Sequence, residues 1–266
     1  MINFTLFKQE IKRSYFTWII FTAILTMYIS LIITMYHPAF GKTLDQFTTA
    51  MPQLMSMFGM SSGGVDLVDF MANYLYGFLM ILFPMVFIII EANKLVAKHV
   101  DQGTMSYLLA SPNTRMKVIV TQICVLVTLL LGMLIFCSLV EFVCACWMYP
   151  GKLNVNTLLR LNTGLFALQF AIAGFCFFSS CISNDTKRSL GIGAGVPVFF
   201  YLVKMLGNMG GQLHFLNDFT PFSLFNVNKL IANEANAWWM LLVLIVMGKV
   251  FFCLGVWFFK KKDLPL

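Results

Sequence analysis

Six long apolar runs decide what this 266-residue chain can become. They cover 16–36, 70–92, 118–149, 158–182, 190–206 and 237–259. A helix needs about 20 apolar residues to cross the ~30 Å hydrocarbon core of a bilayer. Lipid offers no water to backbone amides, so such runs must satisfy their hydrogen bonds internally, as helices. Composition agrees: 11% of the residues are charged and 59% are hydrophobic, whereas a soluble domain carries about 25% charge. The expected fold is an all-α polytopic membrane protein with six spans, built as one domain over 1–266.

Charge orients the spans. Of the 18 Lys and Arg, twelve fall at the N-terminus, between spans two and three, between spans four and five, and at the C-terminus. Lys42, Lys152, Arg160 and Lys229 fall on the other side, and Lys204 and Lys249 lie within spans. The bias places both termini in the cytoplasm of a multi-pass cell-membrane protein. All five Trp stand near span ends, as an aromatic belt requires. The basic residues are divided among short loops, which argues for membrane anchoring and against nucleic acid as a partner.

Phe4, Phe7 and Ile11 share a helical face, so residues 1–15 are expected to form an interfacial helix before the first span. Pro84 should kink the second span, at whose inner end Glu91 is expected to reach water. In the long loop before that span, Met51, Met55, Met57 and Met60 sit near helical spacing. An amphipathic helix lying on the membrane explains them; thioether ligation of Cu(I) is the alternative. Gly191, Gly193 and Gly195 follow no strand, so they suit helix packing rather than a phosphate loop. The segment FTPFSLF before the last span carries Pro221, Phe222 and Phe225, which suit either a half-inserted hairpin or an aromatic-anchored surface loop.

Catalytic signatures are missing. There is no GxxxxGK[ST], HExxH or GxSxG, and no catalytic residue is assigned. The seven cysteines lie inside apolar runs without CxxC spacing or clustered His, so neither a metal site nor a disulfide framework is expected. Glu141 and Lys249 lie within spans, with Glu91 near an edge. Ionisable groups at such depth should face the protein interior, as a substrate contact or as a structural clasp, and Lys249 could snorkel toward Glu141.

The longest basic interruption is KLVAKHVDQGTMSYLLASPNTRMK, 94–117. Gly103-Thr104 opens a short apolar run with Thr104 as a candidate N-cap, and Pro112 ends it. Two membrane helices joined by an elbow with one short helix fit this pattern, as does an ordinary basic loop held inside by its charge. In Asp101, Gly103, Thr104, Leu108-Leu109, Ser111-Pro112 and Arg115 the elbow resembles type-2 (multidrug and antibiotic export) permease subunits of the ABC exporter superfamily. That family more often has Glu where Asp101 stands. The six-span layout and FTPFSLF extend the resemblance over essentially the whole chain.

The resemblance implies a function. The elbow would be a coupling helix docking on a separate ABC ATP-binding subunit, which would hold ATP and Mg while this chain binds no cofactor. A second permease chain, identical or sister, would complete the pathway among membrane lipids. Pro221, Phe222 and Phe225 would belong to the outer gate. Export of an amphipathic peptide, drug or lipid-like substrate would follow, with multidrug or antimicrobial-peptide resistance as a role in a bacterial plasma membrane. The competing readings are an ion-coupled transporter using Glu141 and Lys249, and an intramembrane enzyme.

Overall fold

The computed structural model describes residues 3–36, 49–59, 66–105 and 114–261. Six helices are long and apolar enough to cross a membrane. They are α1 (Phe4–Met35), α2 (Leu79–Asp101), α3 (Arg115–Met148), α4 (Val155–Ile182), α5 (Thr186–Asn208) and α6 (Ala235–Lys261). Successive long helices alternate in direction. The N-terminus, the elbow and the α4–α5 loop therefore share one end, the elbow end. The described residues contain no strand.

The centre is made by α2 and α4, whose apolar stretches are mostly buried; α1, α5 and α6 surround them and expose much of their surface. The α4–α6 seam is close because both helices carry glycine at the crossing. A Cβ on Gly174 would lie 2.5 Å from the Gly248 carbonyl oxygen, and one on Gly248 would lie 2.6 Å from a Phe170 ring carbon. Of the three glycines expected to pack in α5, only Gly193 does so, against Ser179; Gly191 and Gly195 face open space.

Three expectations need correction. First, no separate N-terminal interfacial helix exists: α1 is one 32-residue helix capped by Asn3, whose side chain accepts from the Thr5 and Leu6 amides. No Gly or Pro interrupts it, and its buried stripe is Leu6, Glu10 and Ser14, not the Phe4 face. Phe4 is exposed. Second, the apolar run 70–92 is broken. A short helix (Leu67–Met71) and a π-turn (Ala72–Tyr76) precede a break at Gly77-Phe78. Gly77 is squeezed there, since a Cβ would meet the Asn73 and Phe58 carbonyl oxygens at 2.8 Å. Third, α2 continues past residue 92, through a π-segment (Asn93–Ala97), to Asp101.

Both helical prolines are accommodated by α4. Proline lacks an amide proton, so the carbonyl four residues earlier loses its helical partner. Pro84 frees the Met80 carbonyl, and Gln169 of α4 donates to it at 3.2 Å and to Ile81 O at 2.9 Å. Pro197 frees the Gly193 carbonyl, and the Cys176 thiol of α4 donates to it at 3.2 Å. Buried backbone acceptors in an apolar medium are satisfied in this way by neighbouring helices.

Between α5 and α6, 3-10 segments Gly211–Phe219 and Pro221–Leu224 and the short helix Val227–Ile231 cap the far end. Phe225 and Leu230 fill the notch left by Gly164 of α4, where a Cβ would meet Leu230 Cδ1 at 2.6 Å. The Met-bearing segment forms a short helix, Pro52–Met57, with Met51 and Leu54 exposed; Met60 lies outside the described residues.

Candidate functional site

The elbow end is knitted together by buried polar groups from α1 and α2. Glu91 is fully buried, contrary to the expectation that it reaches water. One carboxylate oxygen accepts from Ser14 Oγ at 2.5 Å, and the other pairs with Lys94 Nζ at 3.2 Å. Lys94 also donates to the Arg13 carbonyl at 3.0 Å. Spacing three residues apart on α2 brings Glu91 and Lys94 to one face. Glu10 of α1 faces His99 of α2, with Oε1 3.1 Å from Nε2. Arg13 Nη1 lies 2.8 Å from the same ring nitrogen. The π-segment just before His99 widens the helix by one residue per turn and rephases the turn that carries this histidine.

The Asp-x-Gly-Thr element gains its structural sense here. Asp101 Oδ2 accepts from Thr186 Oγ1, at the first turn of α5, at 2.8 Å. The Thr186 carbonyl in turn accepts from Asn93 Nδ2 at 3.2 Å. Gly103 turns the chain with φ +68°, a left-handed conformation that costs other residues. Thr104 is already helical, and instead of standing outside as an N-cap it ties back to α2. Its hydroxyl lies 2.9 Å from His99 Nδ1 and donates to the His99 carbonyl at 3.2 Å. His99 thus connects Thr104 to Glu10. His99, to which Thr104 is tied, attaches the elbow to α1, and Thr186 attaches it to α5.

Arg115 is the first residue of α3, behind the N-cap Thr114. Leu108, Leu109, Ser111 and Pro112 lie outside the described residues. Sequence reasoning missed Glu10, Ser14, His99 and Thr186 as partners. A carboxylate and a hydroxyl four residues apart in an otherwise apolar helical stripe were the available signal for the first two.

A second buried cluster lies toward the far end. Glu141 of α3 is fully buried. Its Oε2 accepts from Tyr76 Oη at 2.8 Å and from Asn162 Nδ2 at 3.0 Å. Glu141 therefore clasps α3 to α4 and to the π-turn before α2, and its partner is not Lys249. Lys249 stands exposed on α6 with no ion pair or hydrogen bond among the described residues. Neutral donors from Tyr and Asn suit a carboxylate at this depth, because they satisfy Oε2 without bringing a second charge into lipid, while Oε1 is buried without a hydrogen-bond partner among the described residues.

Tyr76 also lines a polar chamber of about 580 Å³ at the far end. The expected gate residues meet there: Phe222 and Phe225 line the chamber and are almost wholly buried. Pro221, beside them, starts the 3-10 turn and lines a neighbouring apolar cavity. Nearby, Asp69 has its carboxyl raised from the ordinary value, by partial burial first and by the like charge of Asp66 second.

Nothing in either cluster resembles a hydrolytic centre: buried acids are paired with structural donors, and no nucleotide-binding loop is present. The arrangement suits mechanical linkage between helices. No curated protein matches the chain. The model of the family described as "ABC-2 family transporter protein" matches residues 5–264. Spanning almost every residue of all six helices, that match makes the chain a member of the ABC-2 transporter family, a multi-pass membrane permease component of a kind that in general implies an ABC ATP-binding partner.

Proposed function

We propose that this chain is the permease of an ATP-driven exporter and moves an amphipathic substrate outward when a separate ATP-binding subunit grips the elbow. Both termini and the elbow face the cytoplasm, in keeping with the twelve basic residues on that side. ATP and Mg belong to the partner, and a second permease chain completes the pathway.

The observation that carries this reading is the double attachment of the Asp-x-Gly-Thr element. Asp101 holds Thr186 of α5, and Thr104 holds His99, which contacts Glu10 of α1. A push on the Asp-x-Gly-Thr element therefore reaches α1, α2 and α5. Interfaces of this kind switch between discrete packings rather than deforming continuously.

Affinity capture of the solubilised full chain from its native membranes should recover an ATP-binding protein in fixed proportion. Capture from intact membranes that brings down no ATP-binding protein contradicts the proposal.

A further inference from the structure

The far-end chamber has a lining unlike the rest of the molecule. Among the described residues it presents two lysines, Lys204 and Lys229, against one carboxylate, Asp218, amid the amides of Asn73, Asn208 and Asn217. Neither lysine ammonium makes an ion pair or hydrogen bond among the described residues. Two half-buried ammonium groups facing one carboxylate, with no ion pair made among the described residues, leave a net positive chamber that favours an anion brought from outside.

Directly behind lies a second cavity of about 130 Å³, between α4, α5 and α6. Ile172, Phe175, Pro197 and Phe251 line it, and none has a polar side chain. Phe222 lines both spaces and is 2% exposed, so its ring forms part of the wall between them. That ring rests on Tyr201, centroids 5.5 Å apart. The buried Tyr201 hydroxyl has no hydrogen-bond partner among the described residues, an unusual state for a group that normally finds one.

We propose that the two cavities form one binding site for an anionic amphiphile: a phosphate or carboxylate headgroup between Lys204 and Lys229, and an alkyl chain passing Phe222 into the apolar cavity. This rests on the export reading only in treating the ligand as cargo; the site itself stands on geometry. A headgroup that reaches the lysines carries its chain within one side chain's width of the apolar space. Opening that space requires Phe222 to change rotamer and lose its contact with Tyr201. The same ligand chemistry is available from a free amphiphile or from an anionic bilayer lipid.

The test uses the full chain in phosphatidylcholine nanodiscs, without nucleotide or partner. The probe is a decyl phosphate bearing a diazirine in its chain. Irradiation should label the segments around Phe175, Pro197 and Phe251, read by peptide mass spectrometry. Unlabelled decyl phosphate and decanoate should suppress labelling; decyl trimethylammonium and decyl maltoside should not. Lys204→Gln with Lys229→Gln should lower labelling by more than about tenfold, since each charge-assisted hydrogen bond lost weakens binding by about that factor.

Discs enriched in phosphatidylglycerol separate the sources. Lost labelling there makes a bilayer lipid the occupant, and unchanged labelling makes it a free amphiphile. Label placed elsewhere, equal competition by the maltoside, or full suppression by inorganic phosphate alone overturns the proposal. The competition series on the unaltered chain decides the matter even if the double variant folds poorly. Because no transport is measured, a negative result here leaves the ATP-driven reading intact.

Discussion

The elbow end of the bundle and the far-end chamber treat charge in opposite ways. At the elbow end, ionisable groups taken out of water are given partners: Glu91 has Ser14 and Lys94, Glu10 has His99, and Asp101 has Thr186. At the far end, Lys204 and Lys229 line a chamber and have none among the described residues. Partnered groups define a single geometry and can carry displacement. Unpartnered ones leave interaction energy unused until a ligand arrives. The difference separates a linkage from a receptacle within one chain.

Removing a charge should therefore cost stability at the elbow end and little at the far end. Glu91→Ala strands the buried Ser14 hydroxyl and Lys94, and should cost about 2 kcal/mol of stability. Thermal unfolding of the purified chain in detergent measures this; a variant as stable as the parent would erase the contrast between the ends.

Next in size is the proline brace. Gln169→Leu leaves the Met80 carbonyl without its donor and should cost about 1 kcal/mol. Pro84→Ala restores a backbone donor for that carbonyl, so the pair should be non-additive, with the second substitution recovering most of the loss. Additive losses would mean that the Gln169 bond is incidental.

At the far end, Lys204→Gln should leave stability within about 0.5 kcal/mol, because it breaks no contact. A loss as large as that of Glu91→Ala would reveal a structural partner and merge the two regions into one class.

The smallest effect concerns Asp69. A raised carboxyl pKa means that the folded state holds its proton more tightly than the unfolded state. Its contribution is therefore present at low pH and is lost as pH rises. Asp69→Asn should raise the melting temperature slightly at about pH 7 and leave it unchanged at about pH 3. A gain of equal size at both pH values would exclude the carboxylate as its source.

How much of this was readable beforehand depends on the physical origin of each signal. The six helices depend on local apolarity, which the sequence carries directly. The break at Gly77-Phe78 was hidden because Ala72–Tyr76, although it carries Asn73 and two tyrosines, continues directly into the apolar run. What interrupts the helix there is a carbonyl approach from Phe58, a contact distant in sequence. The merger of the N-terminal segment with the first span escaped notice for a related reason. The Phe4, Phe7 and Ile11 face is amphipathic when the segment is read alone, but the buried stripe is Leu6, Glu10 and Ser14, because Glu10 finds His99. Glu141 was visible as an intramembrane acid, but its partners were not. Tyr and Asn are unremarkable in composition, and only folding brings Tyr76 and Asn162 beside it. Lys249 attracted attention because it sits mid-span, whereas Lys204, nearer a span end, is the lysine that faces a cavity.

If the elbow transmits work done elsewhere, the ratio of substrate moved to ATP hydrolysed in reconstituted vesicles depends on the Asp-x-Gly-Thr element. With the partner ATPase present, Asp101→Lys and Gly103→Val should keep hydrolysis near the parent rate while transport falls about tenfold, a loss of about 1.4 kcal/mol of coupling. An unchanged ratio of transport to hydrolysis in both variants, in protein that is folded and bound to its partner, would contradict the claim.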